Sequence, residues 1–227
     1  MRPIIAINAK VYYPHSFGAH LLRVLRALER IADEYDVETI LAPPHTEIKE
    51  VSSIAKKTKV YAQSVDPVNP GAHTGSVIVE GIKDFVKGSI INHSEKRIRI
   101  DEIEVVVRKL NEYGLESLVC APTPLTAASV AVLRPTMVAM EPPELIGTGI
   151  SVSKAKPETI TDTVNAVREI GFNGPILVGA GISTGDDVKK AIELGANGVL
   201  VASAVMKAKD PYEKLKEFAG ASVASNA

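Results

Sequence analysis

Eight short apolar runs, separated by longer amphipathic segments, recur along this 227-residue chain. The runs are "PIIAIN" (3–8), "VETILAP" (37–43), "TKVYAQSV" (58–65), "GSIIN" (88–92), "LESLVCA" (115–121), "PTMVAME" (135–141), "GPILVGA" (174–180) and "NGVLVAS" (197–203). They are rich in Val and Ile and nearly continuous, the pattern of parallel strands covered on both faces. Between them, residues 20–35 place Leu21, Leu22, Leu25, Leu28 and Ile31 on one helical stripe, with Arg and Glu opposite. Residues 100–114 read as a helix capped near Asp101 and closed by Gly114; residues 156–171 and 184–196 repeat the scheme, closing at Gly171 and Gly195. Strand and helix alternate with no linker or charge block, which predicts one α/β domain over 1–227 with right-handed crossovers. Eight units of this size fit a closed (β/α)8 barrel of eight parallel strands, typically about 250 residues long. An open doubly wound sheet uses similar units, but no GxGxxG follows the first run.

Composition narrows the partners. With 45% hydrophobic residues, 23% charged residues and a formal net charge of −1, the chain has the balance of a soluble globular protein. It lacks the basic footprint that nucleic acid or an anionic membrane surface demands. The first apolar run is too short for a signal peptide, and no stretch approaches the ~18 apolar residues of a membrane span, so a cytoplasmic location is expected. Cys120 is the only cysteine, and His15, His20, His45, His73 and His93 lack metal-ligand spacing. No metal site is expected.

In such a barrel, reactive groups gather where strands end at the C-terminal face. The first run ends in Asn8 and Lys10, the fourth in His93 and Glu95, and the sixth in Glu141. Asn92 or Ser94 can cap a following helix, which would set His93 beside a helix N-terminus and favour uncharged imidazole. After Glu141 comes a stretch that starts rigid (Pro142, Pro143) and ends flexible (Gly147, Gly149). The seventh and eighth runs end at Gly181 and at Ala202–Ser203, where small residues leave backbone N–H groups open to an anion such as phosphate. Each feature also has a structural reading: Lys10 as a solvated loop residue, His93 as a satisfied side chain, Glu141 as a turn residue. Against those stands their coincidence at one end of one inferred barrel.

In order along the chain, "NAK" (8–10), "AQSVDPVNPGAHTG" (62–75), "NHSEKR" (92–97) and "MEPPELIGTG" (140–149) resemble the signature stretches of the triosephosphate isomerase family. The likeness spans residues 8 to 203, nearly the whole chain. It implies a TIM barrel that interconverts dihydroxyacetone phosphate and glyceraldehyde 3-phosphate through an enediolate, without cofactor, in glycolysis and gluconeogenesis. It further implies Glu141 as base, His93 as electrophile and Lys10, with Asn8 beside it, as substrate-binding cation. Phosphate donors fall on the backbone at Gly147, Gly181, Ala202 and Ser203, Ile146 lies in a closing lid, and Glu95 supports Lys10. The sequence departs from the common form in having no Trp, in Ala180–Gly181 and Ala202–Ser203 where Gly-Gly pairs are usual, and in "APT" after Cys120. In these respects it resembles a shorter archaeal branch whose members tend to be tetramers, so a homo-oligomer, tetramer or dimer, is expected. A phosphate-binding lyase or isomerase of tryptophan or histidine synthesis would share the last two loops without N-x-K or the Glu-Pro stretch. A non-catalytic scaffold barrel would not need His93 together with Glu141.

Overall fold

Each apolar run contains a strand. The computed structural model describes residues 1–142, 145 and 150–225. Its strands are β1 (Ile4–Asn8), β2 (Glu38–Ala42), β3 (Lys59–Ala62), β4 (Gly88–Ile91), β5 (Glu116–Ala121), β6 (Met137–Met140), β7 (Ile176–Val178) and β8 (Gly198–Val201). They close in sequence order into a parallel barrel, and β8 returns to β1 in register from Ile4↔Gly198 to Ile7↔Val201. The doubly wound alternative is thereby excluded.

Continuous apolar runs arise because the two faces of each strand bury into different shells. Ile4, Ala6, Ile40, Ala42, Tyr61, Ile90, Leu118, Cys120, Met137, Ala139, Leu177 and Leu200 point inward and fill the barrel. Their neighbours, among them Ile5, Ile7, Leu41, Val119, Val138 and Val199, point outward and pack beneath the helices. Burying each such Leu, Ile or Val contributes on the order of 1.5–3 kcal/mol. At the N-terminal mouth, Lys59 Nζ bridges Glu38 (2.9 Å) and Glu116 (2.7 Å), and the Tyr61 hydroxyl donates to Glu116. Burial, reinforced by Glu116, pushes the Tyr61 phenol well above its ordinary value, so it stays a donor.

The outer layer, in chain order, comprises α1 (Gly18–Glu34), α2 (Ile48–Ile54), α3 (Val79–Ile82), α4 (Ile100–Glu112), α5 (Pro124–Ala131), α6 (Val152–Ala155), α7 (Pro157–Glu169), α8 (Gly185–Glu193), α9 (Ser203–Met206) and α10 (Pro211–Ala224). The α1 stripe is buried as expected at Leu21, Leu25, Leu28 and Ile31, while Leu22 sits only partly buried at its edge. Gly114, Gly171 and Gly195 follow α4, α7 and α8 with positive φ, the left-handed step that ends a helix.

Two expectations about helix starts need correction. Asp101 does not cap α4; the N-cap is Arg99, whose N–H donates to Glu102 Oε2 at 2.8 Å, and Asp101 instead pairs with the Arg99 guanidinium. Nor does a helix begin at Asn92 or Ser94. Asn92 adopts φ 58°, donates its amide to the Cys120 carbonyl (3.0 Å) and accepts from the Ile98 N–H (3.1 Å), which folds the chain into a loop before α4. The left-handed step is one that Asn tolerates better than most residues. His93 therefore lies in a turn and not at a helix N-terminus.

Candidate active site

The inward phase of a strand decides what reaches the barrel mouth. Asn8 continues the inward series of Ile4 and Ala6, and Glu141 that of Met137 and Ala139. Both are buried, at 6% and 5% exposure. Glu141 is held from behind by its own N–H, which donates to the Ala121 carbonyl at 2.9 Å. In front stands Gly179, where a Cβ would come within 2.8 Å of the Glu141 Cγ and Oε1. Only glycine lets the seventh strand pass so close to that carboxylate.

Lys10 sits just past β1 in the left-handed region, φ 50°. Its backbone is fixed there from both sides: the N–H donates to Asn8 Oδ1 (3.0 Å), and the carbonyl accepts from Gln63 Nε2 (2.9 Å). Its ammonium donates to Glu95 Oε1 at 3.0 Å. His93, 6% exposed, turns Nε2 toward Glu141 Oε2 at 3.3 Å. Its Nδ1 accepts the Glu95 N–H at 3.2 Å, and a nitrogen that accepts carries no proton. The proton of the neutral ring then belongs on Nε2, facing Glu141. The backbone of Glu95, and not a helix dipole, sets that tautomer, while its carboxylate holds Lys10.

The turns after β7 and β8 line the same mouth. Ala180 and Gly181 both have φ 72°, and the Ala180 carbonyl accepts the Val152 N–H at 3.3 Å. A Cβ at Gly181 would run into the Ile150 carbonyl, so the turn after β7 is pressed against the backbone of Ile150 and Ser151. Asp187, 1% exposed, fixes this turn: Oδ2 accepts from the N–H groups of Ser183 (3.0 Å) and Thr184 (2.9 Å), and Oδ1 lies 2.8 Å from Lys154 Nζ. Burial alone would raise the Asp187 carboxyl, but Lys154 and these donors outweigh it and bring it down to about 2. Thr184 caps α8, accepting from the Asp187 N–H. Burial, with the charge of Glu141 and a hydrogen bond to it, pushes the Cys120 thiol well above its ordinary value.

These residues enclose a cavity of about 420 Å³, lined among others by Asn8, Lys10, His93, Glu141, Gly181, Ala202 and Ser203. Every site residue expected from the sequence and lying within the described part thus converges here, apart from Glu95, which stands behind Lys10 with a half-exposed side chain. Ile146 and Gly147, with most of the expected lid, lie outside the described residues. Sequence reading missed Tyr12 and Lys207, which also line the cavity, and Gln63, which braces Lys10. The first two carry no local motif. Among the described residues no cluster of His, Cys, Asp or Glu is arranged to hold a metal ion.

Comparison with known proteins decides between the barrels that could carry such a mouth. The sequence model of the family Triosephosphate isomerase matches residues 3–219. The chain belongs to the triosephosphate isomerase family. The triosephosphate isomerases of Caldivirga maquilingensis and Methanothermus fervidus are each 48% identical to it over 218 residues, covering 96% of this chain and 96% and 97% of theirs. That of Methanocaldococcus jannaschii is 46% identical over 216 residues, covering 95% and 98%. The chain is thus a triosephosphate isomerase-family enzyme, an intramolecular oxidoreductase that interconverts dihydroxyacetone phosphate and glyceraldehyde 3-phosphate. The readings as a biosynthetic lyase or a scaffold barrel fall away. No helix among the described residues is long and apolar enough to cross a membrane.

Proposed function

We propose that Glu141 moves the proton, that His93 and Lys10 stabilise the enediolate, and that backbone N–H groups at Gly181, Ala202 and Ser203 hold the phosphate. One observation carries this reading: His93 Nε2 and Glu141 Oε2 face each other at 3.3 Å within one buried cavity that Lys10 also lines. Glu141 takes a proton from C1 of the ketose while the carbonyl oxygen on C2 gains charge. His93 donates from Nε2 to that oxygen, and Lys10 places positive charge beside it. Glu141 then returns its proton to C2, and a hydroxyl proton passes between the two oxygens by way of His93. Atoms and charge balance without an added oxidant. Residues 142–149, including Ile146 and Gly147, act as the lid that keeps water from the enediolate and so limits phosphate loss.

A coupled assay with glyceraldehyde 3-phosphate and no added metal or cofactor tests the activity, and Lys10→Met tests the assignment. The variant is expected to raise KM and also depress kcat, because the ammonium acts in ground and transition states alike. Unchanged affinity for 2-phosphoglycolate in that variant would make Lys10 a bystander.

The proposal extends to assembly and setting. The whole chain, 1–227, acts as one catalytic domain within a homo-oligomer, tetramer or dimer, that serves glycolysis and gluconeogenesis in the cytoplasm. Residues 69–75 form an exposed tip on a clamped stem: Lys109 Nζ donates to the Val68 carbonyl (2.7 Å) and Glu80 Oε1 (3.2 Å), and Asp66 pairs with Val77. Such a rigid, exposed tip suits insertion into a neighbour, with Thr74 beside Lys10 or His93 of the partner subunit. Sedimentation at assay concentration is expected to show an oligomer; a fully active monomer would rule this out.

A further inference from the structure

We infer that Lys207, held over the ring of Tyr12, is a second cationic recognition residue for the substrate's phosphate dianion. The inference rests on the phosphate placement proposed above. Lys207 follows α9 directly, and its N–H donates to the Ser203 carbonyl at 2.9 Å, so it stands one turn beyond the proposed phosphate donors. Helical side chains lean back toward the N-terminus of their helix. Here that lean carries Nζ to 4.4 Å from the centroid of the Tyr12 ring, and both side chains line the same cavity as Lys10, Gly181 and Ser203.

Charge separates Lys207 from the other lysines nearby. Lys10 gives its ammonium to Glu95 at 3.0 Å, Lys154 sits 2.8 Å from Asp187, and Lys214 sits 2.7 Å from Glu217. Among the described residues, no carboxylate lies within ion-pair distance of Lys207. Its neighbour is an aromatic face, which attracts and orients a cation without cancelling its charge. The backbone that carries the ring is itself fixed: the Tyr12 N–H donates to Ser16 Oγ at 3.0 Å, and the Ser16 hydroxyl donates to the Ala9 carbonyl. Tyr12 thus belongs to the same braced loop as Lys10. The proposed phosphate donors are neutral N–H groups, and the Lys10 charge is shared with Glu95. An uncompensated ammonium at the rim supplies what a dianion lacks there, both as attraction in the bound state and as steering during approach.

An exposed lysine is often only a solvated side chain, and Lys209 provides the comparison. It is two residues further on, carries the same charge, and lines only the neighbouring outer groove, whereas Lys207 lines both that groove and the cavity. Lys207→Gln, Lys207→Arg, Lys209→Gln and Tyr12→Leu are to be assayed at several ionic strengths, with inorganic sulfate as competing anion. Lys207→Gln is expected to lower kcat/KM about five- to tenfold at low salt through KM, with kcat retained. It should also weaken sulfate inhibition and flatten the salt dependence of kcat/KM. Lys207→Arg should restore all three, Lys209→Gln should resemble the parent enzyme, and Tyr12→Leu should raise KM with the charge still present. If Lys207→Gln matches Lys209→Gln in KM, sulfate inhibition and salt dependence, the inference is wrong and the phosphate placement stands. If sulfate fails to compete in the parent enzyme, the phosphate placement itself falls, and the inference with it.

Discussion

Glu141→Asp is expected to lower kcat by about 10²–10⁴, the range for losing general-base catalysis, and to leave KM nearly unchanged. The backbone of Glu141 cannot follow the shortened side chain: its N–H is committed to the Ala121 carbonyl at 2.9 Å, and β6 is paired on both edges. The carboxylate therefore retreats by about a methylene, away from both His93 and the carbon it must reach. Positioning errors of that size suffice for such losses. Substrate binding rests on other groups, so KM should hold. A variant that keeps near-parental kcat would remove Glu141 from the role of base.

His93→Ala should cost about 10²–10³ in kcat, as removal of one oxyanion donor does elsewhere, with a smaller change in KM. Geometry makes the supporting measurement specific. Because Nδ1 accepts the Glu95 N–H at 3.2 Å, nitrogen NMR of labelled protein at neutral pH should find a bare Nδ1 and a protonated Nε2. A protonated Nδ1 would contradict the mechanism even in an active isomerase.

Strands were legible because burial on both faces writes a continuous apolar run, and each run marked in the sequence holds one. Their ends located Asn8, Lys10, His93 and Glu141, since in a barrel the chemistry follows the strand termini. The surroundings of His93 were not legible in the same way. "NHSE" reads locally as a cap, yet Asn92 spends its side chain on Cys120 and Ile98, and the helix waits until Ile100. A tertiary hydrogen bond overrode a local preference. The starts of α5 and α10 carried usable signals, Thr123–Pro124 and Asp210–Pro211, each a capping side chain before a proline. The Lys10–Glu95 pair joins residues 85 apart, and Gln63 reaches Lys10 across 53. Such partners follow from closure of the barrel, and no window along the sequence contains them.

Closure has a consequence for how the enzyme comes into being. The seam of the barrel joins β1 to β8, and the Ile4 N–H donates across it to the Asn197 carbonyl at 3.0 Å. Lys10, among the earliest residues to leave the ribosome, thus meets Ser203 and Lys207 only when nearly all of the chain has been made. A nascent chain cannot own a partial version of this catalyst, since the proposed cation and the proposed anion cradle lie on opposite sides of a seam that needs the final strand. Contacts so distant in sequence are also slow to find each other. A chain cut short anywhere before the final strand leaves an open β1 edge and is expected to be catalytically silent.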